Sequence, residues 1–276
     1  MTRMRLTGIL AMAAGLSTLG LLPSLGLPGL GLLPSLMAQQ APPAKQGQPA
    51  QKGPAPKSQG EAQAVQALVS AQGNADATIK AADDLVTKYA DTDFKEIALY
   101  MEATAYQQKG DAVKAQIYGE QVLAMNPKNF QVTLMMGEIL AQKTRENDLD
   151  KEEKLTQATK YLNDTIDNLK TAAKPNPQLT DQQWEDGKKF VTAEAHNGLG
   201  LVALTRKKYD VAITEFKAAV DLDPQPAYSV RLASADQMAG KNDEAIAICD
   251  KLLADPQLHP QIKAVAQNVK ALASKK

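Results

Sequence analysis

At 276 residues, with 44% hydrophobic but only 4% aromatic side chains, the chain has room for one or two domains and points to an Ala/Leu/Val-rich helical core. Lys plus Arg equal Asp plus Glu at 31 each, yet every acid lies at or beyond Glu61, where 26 basic residues remain and the net charge is −5. No cationic stripe is left to neutralise phosphates, which disfavours nucleic acid as a partner.

Residues 1–38 open with Arg3 and Arg5, continue as an uncharged Leu/Gly/Ala run and reach Leu36-Met37-Ala38 before Gln39. This pattern reads as a secretory signal peptide cleaved after Ala38, and an exported chain is expected in the periplasm or outside the cell. The stretch 6–37 is also long enough to span a bilayer, so retention as a single N-terminal inner-membrane anchor is the alternative, and membrane contact is expected only in that case. Pro23, Pro28 and Pro34 oppose one continuous membrane helix, and Gly-Leu-Leu-Pro-Ser-Leu occurs at 20–25 and again at 31–36, as in a signal core extended by duplication. The one cysteine, Cys249, excludes both an intramolecular disulfide and a lipid-modified residue at the cleavage site. Residues 39–60, rich in Pro, Gln and Ala, carry Lys45, Lys52 and Lys57 with no acid and nothing to build a core, so a disordered, extended linker is predicted.

From Glu61 to Lys276 the apolar residues recur with a helical period, in pairs of helices separated by turns. A first pair places Val65, Leu68 and Val69 on one helix and Ala81, Leu85 and Tyr89 on the next, with Gly73-Asn74 between. A second has Ala103, Tyr106, Gly110, Ala115 and Pro127, with Ala115 lying 34 residues after Ala81. In a third, Thr133, Met136, Gly137 and Leu140 mark the first helix, and Gly137 falls 34 residues after Ala103. Its second helix carries Ala158 and Leu162, but 21 residues separate Gly137 from Ala158, so nine extra residues are assigned to the charged loop 144–153. After the Pro175/Pro177 break a helix restarts at Thr180, whose hydroxyl caps it while Gln183 reaches back, and runs through Trp184 and Phe190 into a first helix about five turns longer than a standard one. The best-defined pair, residues 193–224, ends one helix near Arg206, turns at Arg206-Lys207-Lys208 and runs a second from Tyr209 to Leu222. A fifth pair holds Ala233, Gly240, Ala245, Cys249 and Pro256, and His259-Pro260 opens a capping helix to about Ser274.

Within residues 193–224, His196, Leu199, Gly200, Ala203, Ala212, Phe216 and Pro224 fall at the spacing W-x2-L-G-x2-Y…A-x3-F…P, with His and Ala in place of the tryptophan and the tyrosine. The segment therefore resembles a tetratricopeptide repeat. Gly200 and Ala212 stand where the two helices of a pair approach most closely, Leu199 and Phe216 face the next pair, and Pro224 stops the second helix. One pair cannot bury its own stripe and must stack on copies of itself. The resemblance implies an all-α, right-handed superhelical solenoid of antiparallel helix pairs over residues 61–276, about five hairpins plus a capping helix. It also implies a scaffold of the bacterial cell envelope that binds a protein or peptide in its concave groove.

Catalytic chemistry finds little support. The two histidines, His196 and His259, lie on different repeats, too far apart in sequence to suggest a metal site, and His196 fits a packing role. Cys249 takes the slot of Phe216, which suits an inert buried thiol. Asn147-Asp148-Leu149-Asp150 lacks the alternating ligands and the glycine of a calcium loop. No phosphate-binding, nucleophile-elbow or dinucleotide motif is present, so neither an enzyme nor a cofactor is expected. The resemblance instead directs attention to the inner wall of the first helices: Tyr100, Thr104 and Gln107; Leu134, Glu138 and Gln142; Asn197 and Leu201; Arg231 and Ser234. Repeats that grip a C-terminal carboxylate use paired Lys and Asn there, and only Asn197 and Arg231 are available. A peptide or helix held by Tyr100 and Leu134 as apolar anchors, with amide hydrogen bonds, is the better fit.

Overall fold

The structure, a computed structural model, describes residues 54–176 and 178–275; the expected signal segment 1–38 and residues 39–53 of the expected linker lie outside the described residues. All regular elements among the described residues are α-helices. They run α1 (Gln59–Ser70), α2 (Ala75–Lys88), α3 (Lys95–Gln108), α4 (Ala112–Met125), α5 (Phe130–Lys143), α6 (Lys151–Thr171), α7 (Asp181–Thr205), α8 (Tyr209–Leu222), α9 (Pro226–Met238), α10 (Asn242–Leu253) and α11 (Pro260–Ala273). Consecutive helices form antiparallel pairs, and α11 closes the series. The chain divides within α5 into an N-terminal unit, with α1–α4, residues 130–136 and 175–176, and a C-terminal unit holding the remainder.

In the N-terminal unit α1 begins two residues before the helical pattern does, because Ser58 caps it. The Ser58 hydroxyl accepts from the Glu61 N–H at 3.1 Å, while the Glu61 carboxylate accepts from the Lys57 N–H and the Thr92 hydroxyl, each at 2.6 Å. Lys57 also pairs with Asp91 and Asp93. The end of the predicted linker is thus built into the first repeat. Val65, Leu68, Ala82, Leu85, Phe94, Ala98 and Met101 form the core. Ala82, not Ala81, is the fully buried alanine of α2, since the buried stripe there is Thr78, Ala82 and Leu85. The interval to Ala115 is therefore 33 residues, one short of the predicted period. Ala103 and Ala115 are both fully buried where α3 meets α4, and Tyr106 stacks on Tyr118 with ring centroids 5.4 Å apart.

In the C-terminal unit, small residues stand at the close approaches. A Cβ on Gly200 would lie 2.5 Å from the Phe216 ring, and Leu162 of α6 fits against both Gly137 of α5 and Gly198 of α7. Ala158, Ala212, Phe216, Ala233 and Ala245 are fully buried, Leu199 nearly so, and Pro224 is exposed after α8. Three of the hairpins close with the same device: Asp111, Lys208 and Lys241 donate their N–H to the carbonyls of Tyr106, Ala203 and Asp236 at 3.0, 2.9 and 2.8 Å. The residue before each donor has positive φ. It is glycine twice, Gly110 and Gly240, and Lys207 at φ 59 in the third.

Two element lengths depart from expectation. The connection between α5 and α6 is residues 144–150, because 151–153 form the first turn of a 21-residue α6. The extra sequence thus lengthens a helix as well as a loop. α7 has the predicted capping box of Thr180 and Gln183, and its 25 residues make it about three turns longer than the 14-residue α3 rather than five. Arg206 ties the end of α7 to α6, donating from Nε to Glu152 at 2.9 Å and from Nη2 to the Thr156 hydroxyl at 2.9 Å.

Candidate functional site on the first-helix face

First and second helices of the C-terminal pairs are buried to very different degrees. The second helices bury one stripe, Ala212, Phe216 and Ala219 on α8 and Ala245 and Cys249 on α10. The first helices are enclosed on most sides: α9 buries Tyr228, Val230, Arg231, Ala233, Ser234, Ala235 and Asp236. This follows from position, since α9 packs against α8, α10 and α11 at once. A polar residue on such a helix is either hydrogen-bonded inside the protein or faces the narrow strip left open to solvent.

The ten groove residues expected from sequence separate on this basis. In the N-terminal unit, Tyr100 is half-buried and packs against the α1–α3 core, with burial pushing its hydroxyl up to about 12. The Thr104 hydroxyl is turned back onto the Met101 carbonyl at 2.8 Å, and Gln107 is half-buried. Leu134, expected as an apolar anchor, is 8% exposed. In the C-terminal unit, Leu201 packs beside Phe216 and the Ser234 hydroxyl donates to the Val230 carbonyl at 2.8 Å. Glu138, Gln142, Asn197 and Arg231 remain as polar groups on this face, Asn197 and Arg231 deeply buried and the other two half-buried.

Three of these C-terminal positions, Glu138, Asn197 and Arg231, belong with two residues that the sequence reasoning missed, Glu194 and Tyr228. The signal was present: Glu194 precedes Asn197 by three residues and Tyr228 precedes Arg231 by three, which puts each pair on one side of its helix. Arg231 donates from Nη1 to the Asn197 side-chain oxygen at 2.5 Å, whereas its Nε is buried without a partner. Burial lowers the guanidinium somewhat, but an arginine stays charged. Burial pushes the Glu138 carboxyl up to about 7 despite the opposing pull of Arg231. Burial, then the charges of Glu138 and Asp223, push Glu194 up to about 9. The Tyr228 hydroxyl is raised further by burial and by Glu194, Asp223 and Glu138. Tyr228 is 5% exposed, whereas Glu138 and Glu194 are half-buried.

Comparison with known proteins agrees with the helix pairing. A tetratricopeptide-repeat family model matches residues 189–227 and 199–261, which contain α8–α10 and most of α7. TTC0263, a thermophilic tetratricopeptide-repeat protein of Thermus thermophilus, aligns with a TM-score of 0.52 at 21% identity, over 76% of this chain and 98% of that one. Residues 189–261 thus match the tetratricopeptide-repeat family. A tetratricopeptide-repeat protein from Parabacteroides merdae also aligns, with a TM-score of 0.46 at 14% identity over 78% of this chain and 87% of that one. No curated protein matches the sequence.

Tetratricopeptide-repeat stacks generally serve as scaffolds between proteins, and the remaining reactive side chains fit that setting. The His196 Nδ1 lies 2.7 Å from a Glu215 carboxylate oxygen, joining α7 to α8 within one repeat. Cys249 is fully buried, and burial pushes its thiol up to about 11, leaving little nucleophilic thiolate at neutral pH. Among the described residues no group of three or more His, Cys, Asp and Glu side chains is placed to hold a metal ion, and no helix is long and apolar enough to cross a membrane.

Proposed function

We propose that this tetratricopeptide-repeat protein is a non-catalytic adaptor that holds a peptide or protein partner along the α5–α7–α9 face of its C-terminal unit. The observation that carries the reading is the polar pair on that face, where the buried Arg231 of α9 donates to the Asn197 side chain of α7 at 2.5 Å while its Nε stays buried without a partner. A purely structural face would have paired every donor of this guanidinium or replaced it with an apolar side chain. A photo-reactive residue placed at Gln142 or Leu201 should crosslink to a discrete partner in cells, and one at the exposed Lys217 of α8 should not. Adducts from position 217 with none from 142 or 201 would move the interface to the outer helices.

The same reading places the adaptor in the bacterial envelope, supported by Arg3, Arg5 and the uncharged run that ends at Ala38, with residues 39–53 as a spacer before the repeats. The length of the uncharged stretch favours a second version, an accessory subunit tethered to the inner membrane. A mature N-terminus at Gln39 in the soluble fraction supports the free adaptor. A full-length chain that resists carbonate extraction supports the tether.

A further inference from the structure

Among the described residues, Glu102 of α3 is the one acid whose two carboxyl oxygens are both buried without a hydrogen-bond partner, and the residue is 0% exposed. The register of α2 against α3 shows what it faces. Lys109 at the end of α3 pairs with Asp76 at the start of α2, and the two helices run antiparallel. Seven residues inward on each helix, two turns along, the same side of α2 carries Asp83 and the same side of α3 carries Glu102. An attractive pair at one end of the contact is thus followed by two carboxyl groups. From the other side α4 brings Lys114 and Tyr118 toward Glu102. Lys114 is held over the Tyr106 ring, 4.8 Å from its centre, and Tyr118 stacks on the same ring, while the Glu102 oxygens stay unpaired.

We propose that Glu102 and Asp83 form a proton-dependent latch, in which the α1–α2 hairpin is held on α3 by a proton on Glu102 and loosened when that proton leaves. With the proton, the buried carboxyl is neutral and has an O–H to offer to the Asp83 carboxylate or the Tyr118 oxygen. Without it, an oxyanion stripped of water faces a second carboxylate, which the contact cannot hold closed at no cost. Burial pushes the Glu102 carboxyl up to about 7; Tyr118 opposes this, Asp83 adds to it and Lys114 opposes it. Once α2 lifts away, the carboxyl meets water and gives up its proton above its ordinary value of 4.5. Opening therefore becomes easier by up to about tenfold for each pH unit between those two values and levels off above them. α2 is the side that yields, because its main contacts are with α1 and α3, whereas α3 is held between α2 and α4.

The test is amide hydrogen exchange of the full chain from about pH 5 to about pH 8, with the intrinsic exchange rates divided out. Protection of α1 and α2 should fall at least about tenfold between pH 5 and 7 and then level off. Glu102→Gln keeps the shape of the side chain without its titration, and Glu102→Leu restores the apolar residue that Leu199 supplies in the equivalent slot. Both variants should remove the fall in α1 and α2 and leave the pH profiles of α8 and α10 as in the parent. Asp83→Asn should move the fall to lower pH, because Glu102 then ionises with no carboxylate opposite. A fall that survives in both Glu102 variants overturns the latch. So does a fall that the variants remove equally from α8 and α10, since the acid would then govern global unfolding and not the seat of one hairpin. An Asp83→Asn profile that coincides with the parent overturns the pairing of the two acids.

Discussion

Single residues decide how closely the helices approach. Gly200→Leu would drive a side chain into the Phe216 ring, 2.5 Å from where the Cβ must lie, and the ring is fully buried with no space to yield. Overpacking of this kind costs about 1–3 kcal/mol, so thermal unfolding should move several degrees lower; an unchanged melting curve would mean that α7 and α8 do not meet there. Glu102 breaks the repeat pattern in the opposite way. It precedes Ala103 as Leu199 precedes Gly200, an apolar slot filled by an acid, and it is fully buried. The Tyr118 hydroxyl and Asp83 carboxyl approach it, but neither carboxyl oxygen completes a hydrogen bond. Burial chiefly pushes this acid from 4.5 up to about 7. The folded state thus holds a proton that the unfolded chain has lost between those values, and stability falls as pH rises across that window. Since holding one extra proton is worth about 1.4 kcal/mol for every pH unit crossed, the loss reaches up to about 3 kcal/mol. Denaturant unfolding of Glu102→Gln across pH 4–8 should lack this part of the slope, and identical slopes in the two proteins would contradict it.

The helices themselves were largely legible from sequence because their signals are local. The stripes at 209–222, the Thr180–Gln183 capping box and the start at Pro260 each depend on neighbours within a turn or two, and each helix lies where its pattern puts it. Thr180→Ala should therefore cost roughly 1 kcal/mol through loss of the 3.1 Å bond to the Gln183 N–H. Circular dichroism melts would detect it, and a variant as stable as the parent would show that α7 is held by packing alone. The misplacements have equally physical causes. Ala81 and Ala82 are adjacent alanines, and only the tertiary contact distinguishes which one faces the core. Lys151, Glu152 and Glu153 read as loop because a charged first turn lacks an apolar stripe, yet acids at a helix N-terminus are favourable and lengthen α6.

At the scale of the whole molecule, the sequence revealed the helix pairing but not which first-helix positions the neighbouring helices cover. Counting from the packing slots found Asn197 and Arg231, which are buried, as well as Tyr100 and Leu134, the expected apolar anchors, which are half-buried and buried. Sequence spacing reports which side of a helix a residue occupies, not how much of that side neighbouring repeats cover. Glu194 and Tyr228 became visible only once the fold brought the charges of Glu138 and Asp223 to bear on both of them. In the C-terminal unit, enclosed first helices beside half-exposed second helices are the feature on which the proposed adaptor role rests. Amide hydrogen exchange of the full chain, alone and with the partner identified by crosslinking, tests it most directly. The account predicts slowed exchange confined to α5, α7 and α9, with α8 and α10 unchanged; protection of α8 and α10 while α7 and α9 stay unaltered would contradict it.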